Sequence, residues 1–238
     1  MAENTKRHRA GFVNLIGNPN VGKSTLMNQL VGEKLSIITA KAQTTRHRIK
    51  GIVDGDNYQI IYSDLPGILT PSYKMQEMMM KFVTLSLQDA DVILYLVECG
   101  ETRYDAEIME HLQKIDIPII LVINKIDKCT GEQVAEAEAF WKNILPKTES
   151  VLISALQSKN IDQLIAKITE KLPVHEPYFP KDQLTDRPMR FFVSEIIREK
   201  ILINYKKEIP YSVEVVVDEY KETEGLVRIM ATLYVERD

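Results

Sequence analysis

An apolar run, "FVNLIG", leads directly into "GNPNVGKS" and then into the helix-like pattern of "TLMNQL", all within residues 12 to 30. Gly17 and Gly22 bracket four residues, Asn18, Pro19, Asn20 and Val21, and Lys23 and Ser24 follow at once. Glycine lets the backbone adopt positive φ and approach a ligand closely. A loop of this kind turns successive N–H groups inward, and the helix behind it adds the partial positive charge of its N-terminus. A strand, such a loop and a helix, in that order, form a cradle for phosphate oxygens within an α/β sheet.

The rest of the first 173 residues keeps the alternation that this start requires. Strands are predicted at 12–17, 51–55, 58–64, 91–98, 118–125 and 150–155, with helices at Lys23–Val31, Gln76–Gln88, Ala106–Lys114, Val134–Leu145 and Ile161–Leu172. Near-continuous apolar strands separated by helices imply an α/β fold, a mostly parallel sheet covered on both faces. The short "GDN" link between 49–55 and 58–64 suggests a hairpin and one antiparallel edge strand. The segment 1–173 is therefore expected to be a nucleotide-binding domain.

Four prolines between 173 and 188 then interrupt both helix and strand, which marks 174–186 as a linker. Beyond it, "FFVSEIIREKILINY" (191–205) has helical spacing, and "YSVEVVVDEY" (211–220) and "LVRIMATLYVE" (226–236) alternate at period two. A helix on a two-stranded hairpin is marginal alone. Residues 187–238 are expected to be the opening part of a second, α+β domain.

The motif set specifies the ligand. Lys23 is expected to bridge β- and γ-phosphates, the Ser24 hydroxyl to ligate Mg²⁺, and Thr25 to reach the α-phosphate. "NKID", Asn124, Lys125, Ile126 and Asp127, follows the apolar strand "IILVI" at its carboxyl end, where open α/β sheets bind ligands. The Asp127 carboxylate can accept both donors of a guanine edge, N1–H and the N2 amino group, and adenine lacks that pair. Asn124 can tie loops together, the Lys125 stem can cover the base, and Ser154–Ala155 can offer a backbone amide to guanine O6. These features favour GTP over ATP. "DLPG", Asp64, Leu65, Pro66 and Gly67, ends another strand. Asp64 can hold Mg²⁺ through water and the Gly67 amide can meet the γ-phosphate, so the segment from Ile68 to about Glu77 is expected to switch with that phosphate. In "QTTR" (43–46) a threonine can complete the Mg²⁺ shell.

Taken together, "GNPNVGKS", "KAQTTRHRI", "DLPG", "NKID" and "SA", followed by "RFFVSEIIREKILINYKKEIPYSVEV", resemble the Era-type GTPases over essentially the whole chain. The resemblance implies a bacterial GTPase that assists maturation of the small ribosomal subunit, binds near the 3′ end of its rRNA, and is cytoplasmic with loose peripheral membrane contact. It implies GTP or GDP with Mg²⁺ as cofactors and favours Thr45 over Thr44 as the Mg²⁺ ligand. It also implies that 187–238 is the N-terminal half of a KH-like RNA-binding domain. After residue 186 only Gly225 remains, so the "GxxG" loop of such domains is absent. Catalysis is expected to involve Asn20, Lys23, Thr45 and Gly67. Many GTPases place a water-orienting glutamine after the "DxxG" glycine. Ile68 stands there, so slow turnover is expected. Asn20 has two readings: a K⁺ ligand, as in similar GTPases, which would accelerate hydrolysis, or a turn residue.

The net charge of −4 lends no support to generic nucleic-acid binding, and 186–238 carries nine Lys or Arg against eleven Asp or Glu. "KRHR" at Lys6 to Arg9 reads as a solvated terminus. No apolar run approaches the roughly 20 residues of a membrane span, and the N-terminus lacks the apolar core of a secretory signal. Cys99 and Cys129 read as packing residues in a reducing setting. Trp141 is expected in the core, and "MQEMMMKF" (75–82) as packing of the switch helix. Two other functions compete: a nucleotide-sensing binding module with little turnover and no RNA binding, and a tRNA-modification-type GTPase.

Overall fold

A computed structural model of the chain describes residues 7–41, 44–205 and 213–235. Gln43, Lys6, residues 211–212, residue 236 and Asp238, which entered the expectations above, lie outside the described residues.

Strand β1 (Arg9–Gly17) pairs in parallel with β3 (Tyr58–Asp64) on one side and β4 (Val92–Glu98) on the other. β2 (Ile49–Asp54) adds antiparallel to β3, and β5 (Ile119–Asn124) and β6 (Glu149–Leu152) extend the parallel side. The order β2-β3-β1-β4-β5-β6 makes a six-stranded sheet with one antiparallel edge, as the hairpin signal predicts. The last strand ends earlier than its apolar run: Ile153 donates to Ile123, but Ser154 turns away to bridge Lys159.

Alternate residues of the central strands face opposite layers of helix, which is why their sequences are apolar throughout. On one side α1 (Lys23–Val31) and α5 (Ile161–Lys171) cover Val13, Leu15, Leu94 and Val122. On the other, α2 (Lys74–Ser86) and α4 (Gly131–Ile144), with α3 (Ala106–Lys114), cover Ile16, Ile93, Tyr95 and Ile123. Trp141 is fully buried in this second layer. Local signals set the helix ends. The Asp105 side chain accepts from Ile108 N–H at 2.9 Å, and Thr130 and Gln133 form a reciprocal capping box. Met79 is buried on α2, while Met75 and Met78 are exposed, so the methionine cluster packs only in part.

Two features add to the sequence reading. Cys99 and Cys129 are joined to each other as a disulfide, besides packing in the second layer. Register explains this: Glu98 pairs with Asn124 across β4 and β5, so the chain leaving each strand end stays beside the other. The proline-rich stretch, irregular as expected, is also docked. Leu184 C=O accepts from Ile52 N–H at 2.8 Å, Thr185 Oγ1 donates to Lys50 C=O at 2.8 Å, and Gln59 Oε1 accepts from Tyr178 and Phe179 N–H. It thereby covers the β2 edge, which would otherwise present unpaired backbone groups.

Helix α6 (Met189–Asn204) follows, then a two-stranded antiparallel sheet of β7 (Val213–Thr223) and β8 (Leu226–Val235). Ile201, Val213 and Val215 form a small core of their own. The apolar side chains of β8 are exposed, among them Leu226, Met230, Leu233 and Tyr234. Among the described residues no helix is long and apolar enough to cross a membrane.

Candidate nucleotide-binding site

The glycine loop joins β1 to α1 with Gly17 at φ 153°, Asn20 at φ 64° and Gly22 at φ 102°. At Gly17 a Cβ would lie 2.2 Å from Leu96 O, and at Gly22 one would lie 2.3 Å from Asn124 Nδ2. Both glycines are thus required by backbone angle and by space. Lys23 folds over the loop and donates to the carbonyls of Gly17 and Asn18 at 2.9 and 2.8 Å. Burial lowers its pKa from 10.5 to about 8, against the opposing pull of Asp64.

Beside the loop three oxygen-bearing side chains converge. Ser24 Oγ and Thr45 Oγ1 are 3.1 Å apart, and Thr45 Oγ1 lies 3.4 Å from Asp64 Oδ2. Asp64 is fully buried, and burial pushes its carboxyl above the usual range although hydrogen bonds from Ser24 and Thr45 pull it down. Among the described residues its Oδ1 has no hydrogen-bond partner. A buried, unpaired carboxylate oxygen beside two hydroxyls fits a hard divalent cation. Thr44 is turned elsewhere: its hydroxyl meets Thr39 Oγ1 at 2.7 Å and donates to Lys41 C=O. The next threonine therefore shares the Asp64 corner. Gly67 sits against Pro19, and Ile68 N–H donates to Gly17 C=O at 3.1 Å, which holds the "DLPG" turn on the loop.

Asn124 joins the remaining parts. Its Nδ2 donates to Val21 C=O at 2.9 Å and its Oδ1 accepts from Ala155 N–H at 3.0 Å. Lys125, in the left-handed region at φ 63°, donates to Asn20 C=O at 2.7 Å and pairs with Glu98. Ile126 and Asp127 lie in a 3-10 turn (Ile126–Lys128), with Asp127 exposed. The Ala155 amide, expected to serve guanine O6, donates to Asn124 in this structure. Ser154 Oγ accepts from Gln157 N–H at 3.2 Å and shapes the adjoining turn.

Two hollows result. One, of about 430 Å³, is lined by Pro19, Asn20, Gly22 to Thr25, Thr45, Leu65, Gly67 and the segment 37–41. The other, of about 120 Å³, is lined by Asn124, Asp127, Ala155 and Leu156, and shares Gly22, Thr25, Lys125 and Lys128 with the first. Sequence reasoning missed residues 37–41, Lys128 and Leu156. No motif marks them, because they line the hollows through loop conformation alone. It also missed the cover on the loop before β2. Arg198 of α6 donates to Thr44 C=O at 2.6 Å, Glu199 accepts from Ile38 N–H and pairs with Lys34, and Arg46 donates to Val213 C=O.

This site and fold have close counterparts. Residues 12–125 match the family model described as 50S ribosome-binding GTPase. A crystal structure of Era in complex with MgGDPNP and nucleotides 1506–1542 of 16S ribosomal RNA is 38% identical, with a TM-score of 0.90 over 97% of this chain and 80% of that one. The chain belongs to the Era family of ribosome-assembly GTPases. A crystal structure of an Aquifex aeolicus Era variant bound to GDP and AlF₄⁻ gives the same identity, TM-score and coverage. Similarity at this level extends beyond the nucleotide domain, and so the Era family's helix α6 and hairpin β7–β8 are part of the match. By contrast, a probable GTP-binding protein engB is 26% identical over 67% of the chain, with a TM-score of 0.51.

Proposed function

We propose that this chain binds GTP with Mg²⁺ in the two joined hollows, hydrolyses it slowly with acceleration by K⁺, and uses the nucleotide state to govern its attachment to the 3′ end of 16S rRNA during small-subunit maturation. The observation that carries the reading is Asn124, whose one amide holds the phosphate loop and the "SA" turn together. Phosphates and guanine are thereby addressed from a fixed spacing. The Era structures with MgGDPNP and rRNA, and with GDP and AlF₄⁻, support the ligands and the partner.

In this reading Lys23 releases the Gly17 and Asn18 carbonyls to take the β- and γ-phosphates, and the N–H groups of Asn18, Asn20, Val21 and Gly22 surround them. Ser24 and Thr45 hold Mg²⁺, with Asp64 behind them. The ion would neutralise charge developing on the phosphate oxygens. The Gly67 amide meets the γ-phosphate, Asp127 reads the guanine edge, and the Lys125 stem covers the base. Asn20, exposed and at most weakly held by Ala40 C=O at 3.5 Å, has its side chain available for K⁺. Residues 1–173 act as the nucleotide domain, 174–186 as linker, and 187–238 as part of a KH-like fold.

Single-turnover GTP hydrolysis in K⁺ and in Na⁺, with and without small ribosomal subunits, tests the reading. Faster turnover in K⁺ and subunit retention of only one nucleotide state are expected. Equal rates in both salts reject the ion role, and equal retention of GTP- and GDP-loaded protein rejects the switch. One observation favours a binding module instead: Ile68, 4% exposed, sits in the core where a water-orienting side chain would be needed. Negligible turnover under every condition is the result that reading expects.

A further inference from the structure

The chain has two cysteines, and the fold brings them together beside the guanine-binding loop. Their Cα atoms are 6.6 Å apart across 30 residues of sequence, within the range a disulfide spans without backbone movement. Cys99 is the first residue after β4, and its N–H donates to Asn124 C=O at 2.9 Å. Cys129 closes the 3-10 turn, its N–H donating to Ile126 C=O at 3.3 Å. Asp127 lies between these two anchor points. A third tie, Lys125 to Glu98, runs alongside.

We propose that Cys99 and Cys129 form a thiol–disulfide modification site that controls how fast the guanine-binding loop opens; this rests on the reading of Asp127 as the guanine contact. With the bridge present, the segment 124–129 is covalently fixed to the end of β4. With the thiols free, non-covalent ties alone hold it: hydrogen bonds, one partly exposed ion pair, and the packing of Ile126 and Cys129 against the second layer. Opening of such a segment is a local event whose free energy depends on how many ties must break, and a covalent tie removes open conformations altogether.

The site is reachable. A hollow of about 640 Å³ runs beside the pair, lined by Glu98, Cys99, Thr102, Lys128, Cys129 and Phe140. Cys99 is 9% exposed and Cys129 is half-buried, so Cys129 is the entry point. A low-molecular-weight disulfide is the oxidant. The Cys129 thiolate attacks one of its sulfurs, forming a mixed disulfide and expelling one thiol. The Cys99 thiolate then attacks Cys129 Sγ, forming the internal bond and expelling the second thiol. One disulfide is reduced to two thiols while the protein dithiol is oxidised, and the two cysteine protons end on the two leaving groups.

The test uses the full chain, treated with glutathione disulfide or with dithiothreitol, loaded with a fluorescent GDP analogue in Mg²⁺ and chased with GDP. Free thiols are titrated in parallel. Two thiols in the reduced form, none in the oxidised form, and release at least about threefold slower after oxidation are expected. Dithiothreitol restores the fast rate, and C99S and C129S keep the reduced-form rate under both treatments. Two free thiols after oxidation, or equal release from bridged and reduced protein, overturns the proposal. Failure of both forms to retain the analogue overturns the guanine reading itself, a different result from retention with equal rates.

Discussion

The side-chain amide of Asn124 donates to the Val21 carbonyl at 2.9 Å, across 103 residues of sequence. Its oxygen accepts from Ala155 N–H, and the residue is 2% exposed. An N124A variant would leave a buried carbonyl and a buried N–H without partners, which costs about 1–3 kcal/mol. We expect a lower urea midpoint in the nucleotide-free protein and weaker binding of both GDP and GTP, because phosphate loop and base pocket lose their common anchor. Unchanged affinity for both nucleotides would show that the two hollows act separately.

Asp127 makes a sharper prediction about specificity. Its carboxylate is exposed at the small hollow and can accept two hydrogen bonds from guanine. An amide at that position would set a donor against a guanine donor. D127N should lose affinity for GDP by about a hundredfold. Xanthine carries a carbonyl where guanine carries the amino group, so D127N should prefer the xanthine nucleotide. Competition titrations against one fluorescent nucleotide measure both effects.

Lys23 carries a pH dependence of stated sign. Burial holds its pKa near 8 in the folded, nucleotide-free protein, below the ordinary 10.5. Between those values the unfolded chain binds the extra proton, so stability rises with pH across the window and the full penalty applies below about pH 8. Relative to K23M, the wild type should gain about 2 kcal/mol between pH 7.5 and 9.5 in urea unfolding without nucleotide or Mg²⁺. A constant difference between the two proteins would contradict the buried-ammonium account.

Arg198 links α6 to the loop that carries Thr45. It makes a two-point ion pair with Glu195, both 5% exposed or less, and also donates to Thr44 C=O. R198A strands the Glu195 carboxylate and should destabilise the protein by about 3–5 kcal/mol. E195L/R198M, which removes both charges and keeps apolar bulk, should recover much of that loss. Both variants lack the Thr44 contact, so tryptic cleavage at Lys41 should be faster in each, even where stability is recovered.

How much of this was legible in advance follows from the range of the forces involved. The phosphate loop, the order of strands and helices, the antiparallel hairpin and the burial of Trp141 were set by local sequence. A glycine's φ, a cap, or an alternation of apolar residues reports on its own few neighbours. The tertiary structure alone chose the partners between distant segments. It turned Thr45 rather than Thr44 toward Asp64, committed the Ala155 amide to Asn124, laid Arg198 and Glu199 over the loop before β2, and set Cys99 against Cys129. Those contacts depend on sheet register and helix packing, which place side chains far apart in sequence within ångströms of each other. No periodicity along the chain records which of two adjacent threonines, or which of many buried amides, will face the ligand.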